Sequence, residues 1–60
     1  MKIKLINDDI DNIITKEFVD AEAMRMWIAE RFEKSPYDDG VYYEFTDTGT
    51  IDRYRLEIVK

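Results

Sequence analysis

The first seven residues, MKIKLIN, alternate in polarity: Ile3 and Leu5 point one way, and Lys2, Lys4 and Ile6 the other. Period-two alternation predicts a strand with one buried face. NDDIDN follows, rich in the Asp and Asn that favour turns. Asn12 to Phe18 is dense in β-branched residues and reads as a second strand. Ile13 and Ile14 cannot share a face, and Phe18 sides with Ile14, so those two are assigned inward. The pattern then changes period. Asp20 is a helix N-cap before AEAMRMWIAERFEK, with Glu22 adding negative charge to the first turn. At 100° per residue, Ala21, Met24, Ile28 and Phe32 form one stripe, with Trp27 on its flank and Met26 opposite. Ser35-Pro36 is the predicted helix stop, because proline restricts the residue before it. YDDG is the return loop.

VYYEFTDTGTIDRYRLEIV, residues 41–59, reads as two strands around a glycine-containing turn. With Thr48-Gly49 as a two-residue loop, Val41 faces Leu56, Tyr43 faces Tyr54 and Phe45 faces Asp52. On the reverse side Tyr42 meets Arg55, Glu44 meets Arg53 and Thr46 meets Ile51. A one-residue slip would set Arg53 and Arg55 against Tyr43 and Val41, mixing charge with core. The unslipped register is therefore expected, with Tyr43 and Tyr54 inside and both arginines outside.

Two hairpins separated by one helix fit a two-layer arrangement. A helix crossover between them makes the first and last strands parallel neighbours at the centre. The expectation is a single α+β domain over residues 1–60, of ββαββ order. Its sheet would be four-stranded and mixed, in the order 2-1-4-3, with one helix on one face.

Composition narrows the function more than the fold. A chain of 60 residues buries only about 60% of the surface it exposes unfolded, so stability is marginal without help. There is no cysteine or histidine, which excludes disulfides and the usual zinc ligands. Fourteen acidic residues against nine basic ones give a net charge of −5, which favours solubility and disfavours non-specific binding to nucleic acid or anionic membrane. No apolar run approaches the roughly 20 residues that span a bilayer, and MKIKLIN lacks the h-region of a signal peptide. A cytoplasmic location is expected.

The segments KIKLIN, FVDAEAM and DDGVYYEFTDTGT resemble, in position and element order, the β-grasp-like immunoglobulin-binding repeats of protein G. The resemblance implies a one-helix, two-hairpin fold. That family grips antibody Fc with the later part of its helix and the start of its third strand. Here the region reads AERFEKSPYDDGVYY, with a proline and a longer loop, so no contact residue carries over. In size and charge the chain also resembles small acidic phage-encoded proteins, many of which bind and inhibit a host protein.

Catalysis has no foothold, because no His or Cys is present and no base stands ready to activate a hydroxyl. Asp8, Asp9 and Asp11 lack the EF-hand spacing and read as turn formers, so neither a metal nor a cofactor is expected. Lys2, Lys4, Arg53 and Arg55 with Tyr42 would make a poor nucleic-acid platform: only one ring is available for stacking, and the net charge is negative. The same face is better suited to protein. Ile6, Ile13, Tyr42 and Ile51 beside Arg53 and Arg55 combine apolar centre, aromatic and guanidinium as interfaces do. A second candidate is the helix flank of Ala23, Met26, Trp27 and Glu30, although Trp27 serves equally as a cap on the core. The leading expectation is a non-enzymatic protein-binding module, in one form a phage-type inhibitor of a host protein. The alternatives are a self-associating structural protein, or a nucleic-acid mimic using Asp8, Asp9, Asp11, Asp38, Asp39 and Asp47.

Overall fold

The first hairpin forms as the alternation predicts. In the computed structural model, which describes residues 1–60, β1 (Lys2–Asn7) pairs antiparallel with β2 (Asn12–Glu17), Leu5 opposite Ile14 and Ile6 opposite Ile13. The Asp8–Asp11 turn is closed by Asn7, whose Oδ1 accepts from the Asp9 N–H at 3.0 Å. Asp11 takes the left-handed conformation, φ 52°, which Asp tolerates better than most residues. Met1 and Phe18 exchange two further bonds of 2.7 Å and extend the ladder.

Helix α1 (Ala21–Arg31) starts where the N-cap places it: Asp20 Oδ1 accepts from the Ala23 N–H at 2.8 Å. Met24 and Ile28 are buried against the sheet, while Met26 faces solvent. The helix ends before Ser35-Pro36. Phe32 is already extended, φ −133° and ψ 154°, and its N–H gives the last bond, to the Ile28 carbonyl. RFEK carries no local stop signal. Two non-local gains favour extension there: Phe32 buries its ring edge-on to Tyr54 at 5.5 Å, and Glu33–Lys34 becomes β3, paired with Tyr43 and Tyr42.

That two-residue strand corrects the expected topology. The sheet has five strands rather than four, in the order β2-β1-β5-β4-β3, where β4 is Val41–Phe45 and β5 is Ile51–Val59. The first and last strands are central neighbours, but they run antiparallel, Leu5 opposite Leu56. β3 reverses the chain once more between the helix and the second hairpin, so β4 runs alongside β1 in direction and β5 runs against both. Every pairing is antiparallel, and the mixed sheet is not formed.

The second hairpin also departs from expectation. Val41 faces Arg55, Tyr42 faces Tyr54, Tyr43 faces Arg53, Glu44 faces Asp52 and Phe45 faces Ile51. This is the one-residue slip, and its cause is the turn. Thr46 pairs with Thr50 around the three residues Asp47-Thr48-Gly49: the Gly49 N–H bonds to the Thr46 carbonyl, and Gly49 is left-handed at φ 82°. A β-turn followed by a left-handed glycine is a favoured three-residue loop. The two-residue alternative would have required positive φ at Thr48, which a β-branched residue resists.

The core lies between α1 and one face of the sheet. Ile3, Leu5, Met24, Ile28, Phe32 and Tyr54 form it, flanked by Ile14, Phe18, Trp27, Tyr42 and Leu56. Phe18, Trp27, Phe32 and Tyr54 make a chain of ring contacts with centroids 5.5–5.9 Å apart, each worth about 0.5–1.5 kcal/mol beyond area burial. The Tyr54 hydroxyl accepts from Asn12 Nδ2 at 3.2 Å, which lets a phenol sit 2% exposed in that core. No helix is long and apolar enough to cross a membrane.

Candidate functional site

Because side chains alternate along strands and antiparallel partners share a face, the register fixes what the uncovered side of the sheet presents. Its two ends differ. At one end Lys2 lies opposite Glu17 and Lys4 opposite Glu57, an interleaved charged surface. Towards the other end Ile13, Ile6, Arg55 and Val41 form one row across four strands. Beyond it come Arg53 with Tyr43, and then Ile51 with Phe45. β4 begins level with Ile6, so the second hairpin runs on past the Asp8–Asp11 turn and carries this apolar field outward.

The two arginines there are not equivalent. Arg55 Nε donates to Asp8 Oδ2 at 3.1 Å and its Nη1 reaches Glu57 Oε2 at 3.4 Å. The hydrogen bond given to Asp8 and that carboxylate's charge, with a smaller contribution from Glu57, hold the guanidinium above its usual pKa. Arg55 thus ties the first turn to the central strand. Arg53 has no carboxylate within 4.0 Å and stands free between Ile51 and Arg55 on the same face. Ser35 and Val41 also fall on this side but are buried. There the return loop folds back, with the Tyr37 and Asp38 N–H groups both donating to Ser35 Oγ.

Of the residues singled out from sequence, Ile6, Ile13, Ile51, Arg53 and Arg55 do share the outer face. Tyr42 does not. The slipped register turns it to the helix side, opposite Tyr54, where it packs against the core. Its expected contact with Arg55 and the Glu44–Arg53 pair are absent; Glu44 instead faces Asp52. Tyr43, assigned to the core, occupies the outer place, and Phe45 joins it, 57% exposed. The missed signal was TDTGT, whose glycine stands at the third position of a three-residue loop.

The helix flank is less available than its composition implies. Trp27 is half-buried between Phe18 and Phe32, with Lys16 Nζ 5.0 Å and the Arg31 guanidinium carbon 4.9 Å from its ring centroid. Glu30 pairs with Arg31 at 3.3 Å, Ala23 is half-buried, and only Met26 presents a large exposed apolar surface. The acidic residues are dispersed. Asp8 is held by Arg55, Asp47 lies in the turn of the second hairpin, and Asp38 and Asp39 lie at the far end of β4. No three carboxylates converge in a metal-holding arrangement.

Fold and surface together define a class: a one-helix α+β domain with an all-antiparallel sheet whose helix covers one side only. No protein-family model matches the chain, and neither curated proteins nor solved structures give a match.

Proposed function

We propose that this chain is a non-enzymatic protein-binding module that grips another protein through the apolar end of its outer sheet face. The observation that carries the reading is the co-location of Ile6, Ile13, Tyr43, Phe45 and Ile51 around the free guanidinium of Arg53, on the face opposite the helix and beyond the part that the return loop covers. Aromatic and arginine anchors within an apolar field are what interface centres contain. The matching partner is a protein surface with an apolar patch edged by a carboxylate, which Arg53 would meet. Small size and a net charge of −5 support a phage-type inhibitor or modulator of a host protein as the form this takes.

The test is capture from bacterial lysate by the tagged protein, washed at low and then high salt, alongside Ile51→Asp, Arg53→Glu and Met26→Asp variants. A stoichiometric partner that survives high salt, is kept by Met26→Asp and is lost by the two outer-face variants supports the module. Retention of that partner by both outer-face variants overturns the surface. Recovery of only the protein's own copies, again split by Ile51→Asp, replaces the module with self-association. A nucleic-acid-binding partner that is released steeply by salt replaces it with the acidic mimic.

A further inference from the structure

The largest concavity lies on the opposite side of the molecule, in the angle between α1 and the β3–β4 edge. It has a volume of about 350 Å³ and is lined by Arg25, Ile28, Ala29, Phe32, Lys34 and Tyr42. That is within the size range of small-molecule sites, which combine an apolar body with a few polar groups. Here the apolar part is Ile28, Ala29 and the Phe32 ring. The polar side chains there are a guanidinium, an ammonium and a phenol, each able to donate a hydrogen bond. Arg25 stands on the helix wall and Lys34 on the strand wall, and neither has a carboxylate within 4.0 Å. The Tyr42 hydroxyl makes no hydrogen bond within the protein, whereas the hydroxyl of its cross-strand partner Tyr54 is bonded to Asn12.

The slipped register and the early helix end create this grouping. Turning Tyr42 inward and extending Glu33–Lys34 along β4 bring a phenol and an ammonium to the groove that Arg25 overlooks. In a chain with a net charge of −5, two cations left without carboxylates across an apolar floor are complementary to an anion with an apolar tail. We infer that this groove is a binding site for a small organic carboxylate with an aromatic or aliphatic body. The body rests on Ile28, Ala29 and Phe32, and the carboxylate lies between Arg25 and Lys34 with the Tyr42 hydroxyl as a third donor. Charge-assisted hydrogen bonds to a carboxylate are stronger than neutral ones, so the anionic head contributes affinity that an uncharged head does not. The site is separate from the outer sheet face, and its fate does not depend on that of the proposed module.

The experiment is titration of the isotope-labelled protein at neutral pH, followed by amide chemical shifts, with 4-phenylbutyrate and with 4-phenylbutanol. Saturable shifts at Ile28, Ala29, Phe32, Lys34 and Tyr42 are expected, with the acid binding about tenfold more tightly than the alcohol. In an Arg25→Gln, Lys34→Gln double variant the acid should fall to the alcohol's level. Both substitutions are at exposed positions, and the comparison of acid with alcohol on the unaltered protein stands whether or not the variant folds. Equal affinity for the two compounds, or shifts centred on Lys2, Lys4 or Arg53, overturns the proposal.

Discussion

The two faces of this sheet are built from the same strands with the same alternation, yet most of their apolar residues have opposite fates. The exceptions are Val41, buried beneath the return loop on the outer side, and Ile58, 53% exposed at the margin of the helix side. On the helix side Ile3 and Leu5 are 0% exposed and Tyr54 2%, whereas on the outer side Ile13, Phe45 and Ile51 are 56%, 57% and 59% exposed. The strands supply apolar side chains to both faces; the chain supplies only one helix. Each buried aliphatic side chain contributes roughly 1.5–3 kcal/mol to stability, while those left in water contribute little to folding and remain available for contact. An isoleucine in a strand of this two-layer domain is therefore either part of the core or left in water, depending on whether the helix reaches it.

Substitutions on the two faces test that division directly. Leu5→Ala should have the largest effect, costing about 2–5 kcal/mol, enough to abolish cooperative urea unfolding in a domain this small. An intact, cooperative transition in that variant would show that the helix-side face is not the core. Gly49→Ala comes next. There is open space around the position, so the expected cost of roughly 1–2 kcal/mol arises from the left-handed backbone alone and is read as a lower urea midpoint with an unchanged slope. Asp20→Ala should cost about 0.5–2 kcal/mol by removing the N-cap bond to Ala23, with the helix signal fraying before the sheet does.

The adjacent tyrosines sharpen the contrast. Tyr42→Ala should destabilise the fold more than Tyr43→Ala, and Tyr43→Ala alone should weaken partner capture; the reverse order would restore the unslipped register. The smallest effect on stability belongs to Ile51→Asp, less than about 1 kcal/mol in thermal unfolding. Its signature is loss of the captured partner.

What the sequence made legible was local. Ile3 and Leu5 could be placed from alternation, and Asp20 from its position before a helical stripe, because neighbours in the chain decide both. Phe32 could not be placed in this way. RFEK continues a helix well on its own, and only the ring of Tyr54 and the edge of β4, both distant in sequence, make extension better. The same missed residues set the direction of the central pair, since β3 adds the reversal that makes β1 and β5 antiparallel. TDTGT was different, because the information was present. A two-residue loop needs positive φ at Thr48, which a β-branched residue resists, and one residue of slip exchanges Tyr42 for Tyr43 across the whole candidate surface.

β5 lies between β1 and β4, with Lys2 opposite Val59 at one limit of the central pairing. The middle of the sheet is therefore made from the first and last strands of the chain, the contacts with the greatest loop-closure cost. Without residues 51–59 the two hairpin arms have nothing to join them, and Ile3 and Leu5 lose the neighbour on one side. The molecule is thus divisible at the Asp47–Gly49 turn into a frame and a keystone strand. A fragment ending at Thr50 should gain a cooperative fold only when a peptide of residues 51–60 fills the slot.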